Sequence, residues 1–339
     1  MTQFVTLLLV VLSVFAATLP MLGFLALVWW LDRYDREPVW MVALTFLWGA
    51  LGGAGLSLFG NTLMHLGIAL LLGDGAAEWM GPVIVAPLIE EPTKAVILLL
   101  VATSRYFDNT TDGFVYGAAA GLGFGMTENM LYFYQSAQLA GFDLGHGVQS
   151  WGMTVVVRTF YSAVMHATAS SIIGAAIGWS RFRPLWSKFL ALPIGLAIAL
   201  GMHAMWNGML TLGVAGLDEE TRFMANLVIL PLEVLVTFAV FQASLYAEHL
   251  TLVRELTEES REGTLPTTHV APLSSYFARN KTQFLKDTSQ QDAYIRAATA
   301  LAFRKHQARH CPPARRSEYD NDIERLRREI GGLLAPGTA

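Results

Sequence analysis

The sequence predicts an all-α polytopic membrane protein, with a transmembrane helix bundle of seven or eight spans over residues 1–246 and a polar helical cytoplasmic tail over 247–339. Three observations predict it. Of the 339 residues 53% are hydrophobic and only 15% charged, against about 25% charged in soluble domains. The deficit of charge lies before residue 246. That region also divides into apolar stretches near the 20 residues that cross a hydrocarbon core, with short polar connections between them. The single cysteine, Cys311, excludes an intrachain disulfide framework and a cysteine-based zinc finger. No internal repeat, nucleotide loop or nucleic-acid module is present, so the expected surroundings are lipid and no nucleic acid.

The first span covers residues 4–31 and ends in Trp29 and Trp30, which suit an interface belt. It lacks a basic leading region and is too long for a signal-peptide core, so it reads as retained. After the loop DRYDREP, residues 39–72 are apolar and too long for one straight helix. Gly49, Gly52, Gly53 and Gly55 could break or bend it there, giving one span plus a half-turn or re-entrant piece. The third span, 82–102, carries EEPTK. The fourth, 113–137, has Gly117, Gly121 and Gly125 four apart, a pattern that lets two helices approach closely. The polar connection AGFDLGHGVQS leads to the fifth span, 155–179, with Arg158 and His166. The sixth, 189–212, holds His203 and Asn207, and the seventh, 223–246, holds Glu233.

Lysine and arginine set the orientation. Arg33, Arg36, Arg105, Arg181, Arg183 and Lys188 lie in loops 1, 3 and 5, whereas loops 2, 4 and 6 hold only Arg222. The N-terminus is therefore expected outside and the tail in the cytoplasm, where 14 of the 23 Lys and Arg residues follow position 246. In the tail, AEHLTLVRELTEES continues the seventh helix, LPTTHVAPL is a break, and 284–309 and 318–330 form two further helices. The charged run RRSEYDNDIERLRRE reads as a solvated face.

The third span is the least expected one. Glu90, Glu91 and Lys94 sit mid-span, where each charge costs about 2.5–3.5 kcal/mol on the lenient insertion scales. Pro87 and Pro92 each remove a helix hydrogen bond. Such a helix should border a polar cavity, because free backbone groups at membrane depth need protein or water. At about 1.5 Å per residue, Glu90 and Glu91 lie roughly 12 Å from the outer end. Glu128, His166 and His203 fall near the same level on three other spans. Glu233 is also near it, with no motif around it.

Each residue has a plain alternative. Glu90 and Lys94, four apart, would make a self-neutralising ion pair. Glu128 beside Asn129 would clamp two helices, and a lone membrane histidine such as His65 is a packing residue. The common depth of Glu90, Glu91, Glu128, His166 and His203 argues for chemistry instead. Imidazole and carboxylate are zinc ligands, and a catalytic zinc takes about three protein groups and a water. A neighbouring glutamate can accept the proton of that water. Lys94 would keep one glutamate charged, and Asn207, one turn after His203, would donate to an oxyanion or orient the histidine. Two other readings stay open: a proton- or ion-coupled transporter using the same carboxylates, and a non-catalytic membrane scaffold.

Four motifs, EEPTK at 90–94, GFGMTEN at 123–129, R-x7-H-x3-S from Arg158, and HAMWN at 203–207, together resemble the PrsW family of intramembrane proteases. They are similar more distantly to the CAAX prenyl protease and abortive-infection superfamily. The resemblance spans roughly residues 20–245. It implies an integral protein of a prokaryotic cytoplasmic membrane that cuts single-span membrane proteins, including anti-sigma factors. It further implies a site of Glu90, Glu91, Glu128, His166 and His203 supported by Lys94 and Asn207. A zinc ion would fall to Glu128, His166 and His203, with a metal-free glutamate and histidine mechanism as the alternative. The tail has no counterpart in this resemblance.

Overall fold

The computed structural model describes residues 2–211, 218–311 and 313–335. The connection at 212–217, expected as part of an external loop, lies outside the described residues, as does the side chain of Arg222. Among the described residues all regular structure is helical. The chain forms two compact units, residues 1–31 with 37–240, and residues 32–36 with 241–339.

The first unit contains α1 (Thr2–Leu31), α2 (Val39–Leu47), α3 (Ala54–Leu72), α4 (Asp74–Met80), α5 (Ala86–Val101), α6 (Thr110–Leu139), α7 (Leu144–Val157), α8 (Ala163–Ser180), α9 (Leu185–Thr211) and most of the membrane part of α10 (Glu219–Arg261). Five helical runs are long and apolar enough to cross a membrane: Thr2–Leu31, Val39–Leu72, Leu144–Ser180, Leu185–Thr211 and Phe223–Arg261. The expected spans at α5 and α6 are absent from that set for physical reasons. α5 carries Glu90, Glu91 and Lys94. α6 is buried almost continuously from Thr111 to Gly125, packed by α1, α2 and α8. Its surface meets protein, so it has no need of the hydrophobicity that lipid demands.

Three short π-helical turns join α-helices into longer runs: Trp48–Gly53 between α2 and α3, Gly81–Val85 between α4 and α5, and Arg158–Ser162 between α7 and α8. Two expectations are corrected here. The glycines at 49–55 do not break the 39–72 helix into a span and a re-entrant piece; three of them lie in its π-helical turn, and Gly49 serves packing, since a Cβ on it would stand 2.0 Å from the Ala120 carbonyl oxygen. The polar connection at 140–150 is mostly helix, because Asp143 caps α7 by accepting from the His146 backbone N–H at 3.1 Å.

α6 is the centre of the bundle. It starts at a capping box in which Asn109 accepts from the backbone of Thr111 and Asp112 while Asp112 accepts from the Asn109 backbone. Its glycine stripe lies against α8. A Cβ on Gly121 would meet the His166 carbonyl oxygen at 2.3 Å, so only glycine allows the two backbones this close. The stripe thereby fixes how far His166 stands from α6.

The second unit has its own apolar core. Leu252 and Leu256 of α10 pack with Leu273 of α11 (Thr267–Ser274), which the one-turn α12 (Tyr276–Arg279) follows, and with Leu301 of α13 (Gln291–His310) and Ile330 of α14 (Arg316–Leu334). The stretch LPTTHVAPL, expected as a break, contains α11, because Pro266 sits just ahead of its first turn and needs no N–H there. The charged run at 315–329 is solvated on one face only. Tyr319, Ile323, Leu326 and Ile330 are buried on the other. Glu255 and Glu259 are fully buried and paired: Arg327 Nη2 lies 2.6 Å from Glu259 Oε1, and Arg309 Nη2 lies 3.0 Å from Glu255 Oε2. Burial pushes the Glu259 carboxyl up, but hydrogen bonds from Arg327, Lys305 and Thr264 outweigh it and leave it below the usual range.

Candidate active site

Side chains from α5, α6, α8 and α9 converge inside the first unit. Glu91 and Lys94 are 0% exposed, His166 1% and His203 2%. Lys94 Nζ donates to Glu91 Oε1 at 2.6 Å and to His166 Nδ1 at 3.1 Å. A charged ammonium only donates, so Nδ1 of His166 is the acceptor and its Nε2–H donates to Glu128 Oε2 at 2.7 Å. His203 places Nδ1 2.7 Å from Glu91 Oε1. With that nitrogen donating to the carboxylate, the lone pair of Nε2 faces Glu90 Oε2 at 3.8 Å. The two imidazole rings meet edge to face, 4.9 Å between centroids. Buried ion pairs of this kind need every charge matched; here Lys94 serves two partners and also stands over the Phe124 ring, 4.5 Å from its centroid.

Two carboxylate oxygens of the cluster are unmatched. Oε2 of Glu90 and Oε2 of Glu91 are buried without a hydrogen-bond partner. Glu90 Oε1 accepts from Asn61 Nδ2 at 3.0 Å. Glu128 is the more exposed end of the cluster, with its side chain 22% exposed and ion-paired to Arg158 at 2.7 Å. Arg158 lies over the Tyr132 ring, and its Nε donates to Asn129 Oδ1 at 3.2 Å.

Each π-helical turn is fastened by a site helix. The wider turn leaves carbonyls unbonded within the helix. At Gly81–Val85, the Ala86 N–H reaches back to the Gly81 carbonyl, and Pro87 has no N–H to offer Pro82. The Pro82 carbonyl is therefore free, and Asn207 Nδ2 donates to it at 2.8 Å. Thr127 donates to the Ala50 carbonyl at 2.7 Å, and Asn129 to the Arg158 carbonyl at 3.4 Å. The residues flanking Glu128, and the asparagine after His203, thus hold the bent backbone in place.

All seven residues singled out by sequence lie in or beside this cluster, Asn207 at its edge on Pro82. Glu233 takes no part in its hydrogen bonds or ion pairs. The residue that sequence reasoning missed is Asn61. Its signal was present: Ser57 and Asn61 stand four apart, on one face of an apolar helix.

For a metal, the donors that meet are Glu90, His166 and His203, one atom of each lying within 4.8 Å of the others. Glu128, expected from sequence as the third ligand, is the partner of His166 and Arg158 instead. Zinc bonds of about 2.0–2.1 Å hold tetrahedral ligand atoms roughly 3.3 Å apart, so adjustments on the order of an ångström would close the set. Two imidazoles, a carboxylate with an unpaired buried oxygen, and a carboxylate behind each imidazole are the donor set of a catalytic metal, and a metal on His166 Nδ1 would replace the Lys94 ammonium that occupies that lone pair.

The comparisons with known proteins agree with this chemistry. The family model described as PrsW family intramembrane metalloprotease matches residues 37–241, ending where the second unit begins. The chain is similar to the Protease PrsW of Bacillus subtilis, 28% identical over 181 residues, which are 53% of this chain and 74% of that one. It is 31% identical over 166 residues to the Geobacillus kaustophilus Protease PrsW, 47% of this chain and 65% of the relative. The Clostridioides difficile Protease PrsW is 32% identical over 116 residues, 34% and 47% of the two chains. No solved structure matches the chain at comparable significance. With the family model covering more than half of its length and all four helices of the cluster, this chain belongs to the PrsW family of intramembrane metalloproteases.

Proposed function

We propose that this protein is an intramembrane peptidase that hydrolyses peptide bonds of single-span membrane proteins, anti-sigma factors among them, in or near the bilayer. The observation that carries the reading is the gap between Glu90 Oε2, buried and unpaired, and His203 Nε2, 3.8 Å away. A water beside these two atoms can donate one hydrogen to the Glu90 oxygen and the other to the Nε2 lone pair. Glu90 takes its proton as the oxygen adds to the peptide carbonyl, and returns that proton to the departing amine. Glu91 fixes the ring of His203 through Nδ1 and is held by Lys94. Glu128 does the same for His166 through Nε2. Asn207 uses one N–H on Pro82, and its second is available to a developing oxyanion.

In a zinc form Glu90, His166 and His203 would hold the ion, which would polarise the water and the scissile carbonyl and, by acidifying the water, would take over the activation that Glu90 supplies without it. The experiment is cleavage of a reconstituted single-span peptide, with bound metal quantified before and after chelation. Glu90→Gln and His203→Ala should each lower turnover at least about 10²-fold and lower bound zinc. Native turnover in both variants would sink the reading. A native enzyme that is active, free of metal and indifferent to chelators would remove the zinc and leave the glutamate mechanism.

The membrane arrangement that supports this reading has seven or eight spans. The five apolar runs are joined by α5, extended upstream through α4, and by α6. The N-terminus is outside, and residues 247–339 form a cytoplasmic domain for regulation, assembly or substrate docking.

A further inference from the structure

α3 carries none of the sequence motifs, and most of its surface is exposed. Ser57 alone is buried along it, and Asn61, one turn later, is half-buried. Both face α5. Gly60 permits the approach: a Cβ there would lie 2.9 Å from Ile89 Cγ2. Ser57 Oγ and Thr93 Oγ1 are 2.8 Å apart, and Thr93 Oγ1 donates to the Glu90 carbonyl at 2.9 Å. Four residues on, Asn61 Nδ2 donates to Glu90 Oε1 at 3.0 Å. The two antiparallel helices are thus pinned in register at 57 with 93 and at 61 with 90.

We infer that Asn61 is a positioning residue of the same site, holding the Glu90 carboxylate by one oxygen so that the other is left for the water. The inference rests on the peptidase reading above. A glutamate has three side-chain torsions, and the last is broad and nearly two-fold, so rotamer preference does not aim the carboxylate. Within this cluster the aim comes from Asn61. The hydrogen bond is made to a charged acceptor, the stronger kind. The amide orientation follows from the same charge, since turning it over would set two acceptor oxygens face to face.

A second observation points to the reaction. Oδ1 of Asn61 is itself buried without a partner, as is Oε2 of Glu90. Leaving a buried carbonyl oxygen unpaired is costly, and two such acceptors on one hydrogen-bonded pair call for donors. A water gives one hydrogen to Glu90, and a peptide N–H of the bound substrate completes Asn61. An amide suits this position because it both donates to the carboxylate and accepts from the substrate. Leucine matches its size and does neither; aspartate matches its shape, cannot donate when ionised, and sets a second charge against Glu90.

The test measures kcat, KM, melting temperature and bound zinc for Asn61→Leu, Asn61→Asp and Ser57→Ala, using full-length protein and a reconstituted single-span peptide. Asn61→Leu should lower kcat, and zinc affinity where zinc is bound, by about 10–100-fold while melting near the native temperature. Asn61→Asp should be slower still. Ser57→Ala, which loosens the same helix pair without touching the carboxylate, should lower the melting temperature and keep the native kcat. An Asn61→Leu protein with native kcat overturns the inference, and so does an Asn61→Asp protein faster than Asn61→Leu. If the leucine variant fails to fold, the aspartate variant decides by its own kcat. A native protein that does not cleave defeats the peptidase reading instead, because the inference is then left with no reaction to position.

Discussion

Gly121→Ala is the smallest change that should disable the site without touching any of its polar groups. The added methyl would lie 2.3 Å from the His166 carbonyl oxygen, 2.6 Å from its carbonyl carbon and 2.7 Å from Ala167 Cα. All three are backbone atoms of α8, so no side chain can rotate away. Real Cβ atoms essentially never come closer than 3.0 Å, so α6 and α8 must part by at least about 0.7 Å at this level, and overpacking of that kind costs about 1–3 kcal/mol. The displaced backbone belongs to His166, whose ring nitrogen sits 2.7 Å from Glu128 on the other helix. A shift near 1 Å in a reacting group can cost on the order of 10²-fold in rate. The loss should be graded. Gly125→Ala meets Ala163 at 3.1 Å and should be milder, while Gly201→Ala, with nothing within 4 Å on the helix that carries His203, should be neutral. The assay is initial cleavage rate with thermal unfolding in detergent for all three. Native rate and native stability in Gly121→Ala would refute the view that the glycine stripe sets the position of His166.

Two predictions concern the rest of the molecule. Burial, with His310, Arg254 and Arg309 close by, pushes the His306 imidazole down to about 4. Between that value and the unfolded value near 6.5, the unfolded chain binds more protons. The native tail should therefore lose stability relative to His306→Asn as pH falls from 7 to 5, read as faster amide exchange in α13 and α14, and equal pH responses would refute it. For topology, reporter fusions after residues 75 and 145 should report outside, and those after 107, 184 and 250 inside. An outside signal at 250 would overturn both the span count and the shared-depth argument.

How much was legible in the sequence depended on which physical signal each residue left. Charges in an apolar stretch are conspicuous because lipid penalises them, so Glu90, Glu91, Lys94, Glu128, His166 and His203 could be found and set at one depth. Depth, however, says nothing about rotation around a helix axis. The sequence therefore did not distinguish Glu128 from Glu90 as the carboxylate nearest both histidines, and the structure places Glu128 beside His166 and Arg158. The glycines at 49–55 misled for a related reason. Glycine reads locally as a helix breaker, and the use of Gly49 is a close approach to α6, which only the fold reveals. The π-helical turns have no local signature beyond the glycines at 49–53 and Pro82 and Pro87, yet they explain why Thr127, Asn129 and Asn207 stand beside the motif residues: each fastens a carbonyl at a bend. The polar residues of these motifs thus divide into those that face the gap and those that hold the curved backbone around it. Asn61 belongs by sequence to neither group: with Ser57 it marks a polar face on an apolar helix, but that face gains a meaning only once the helix opposite is known to present Glu90.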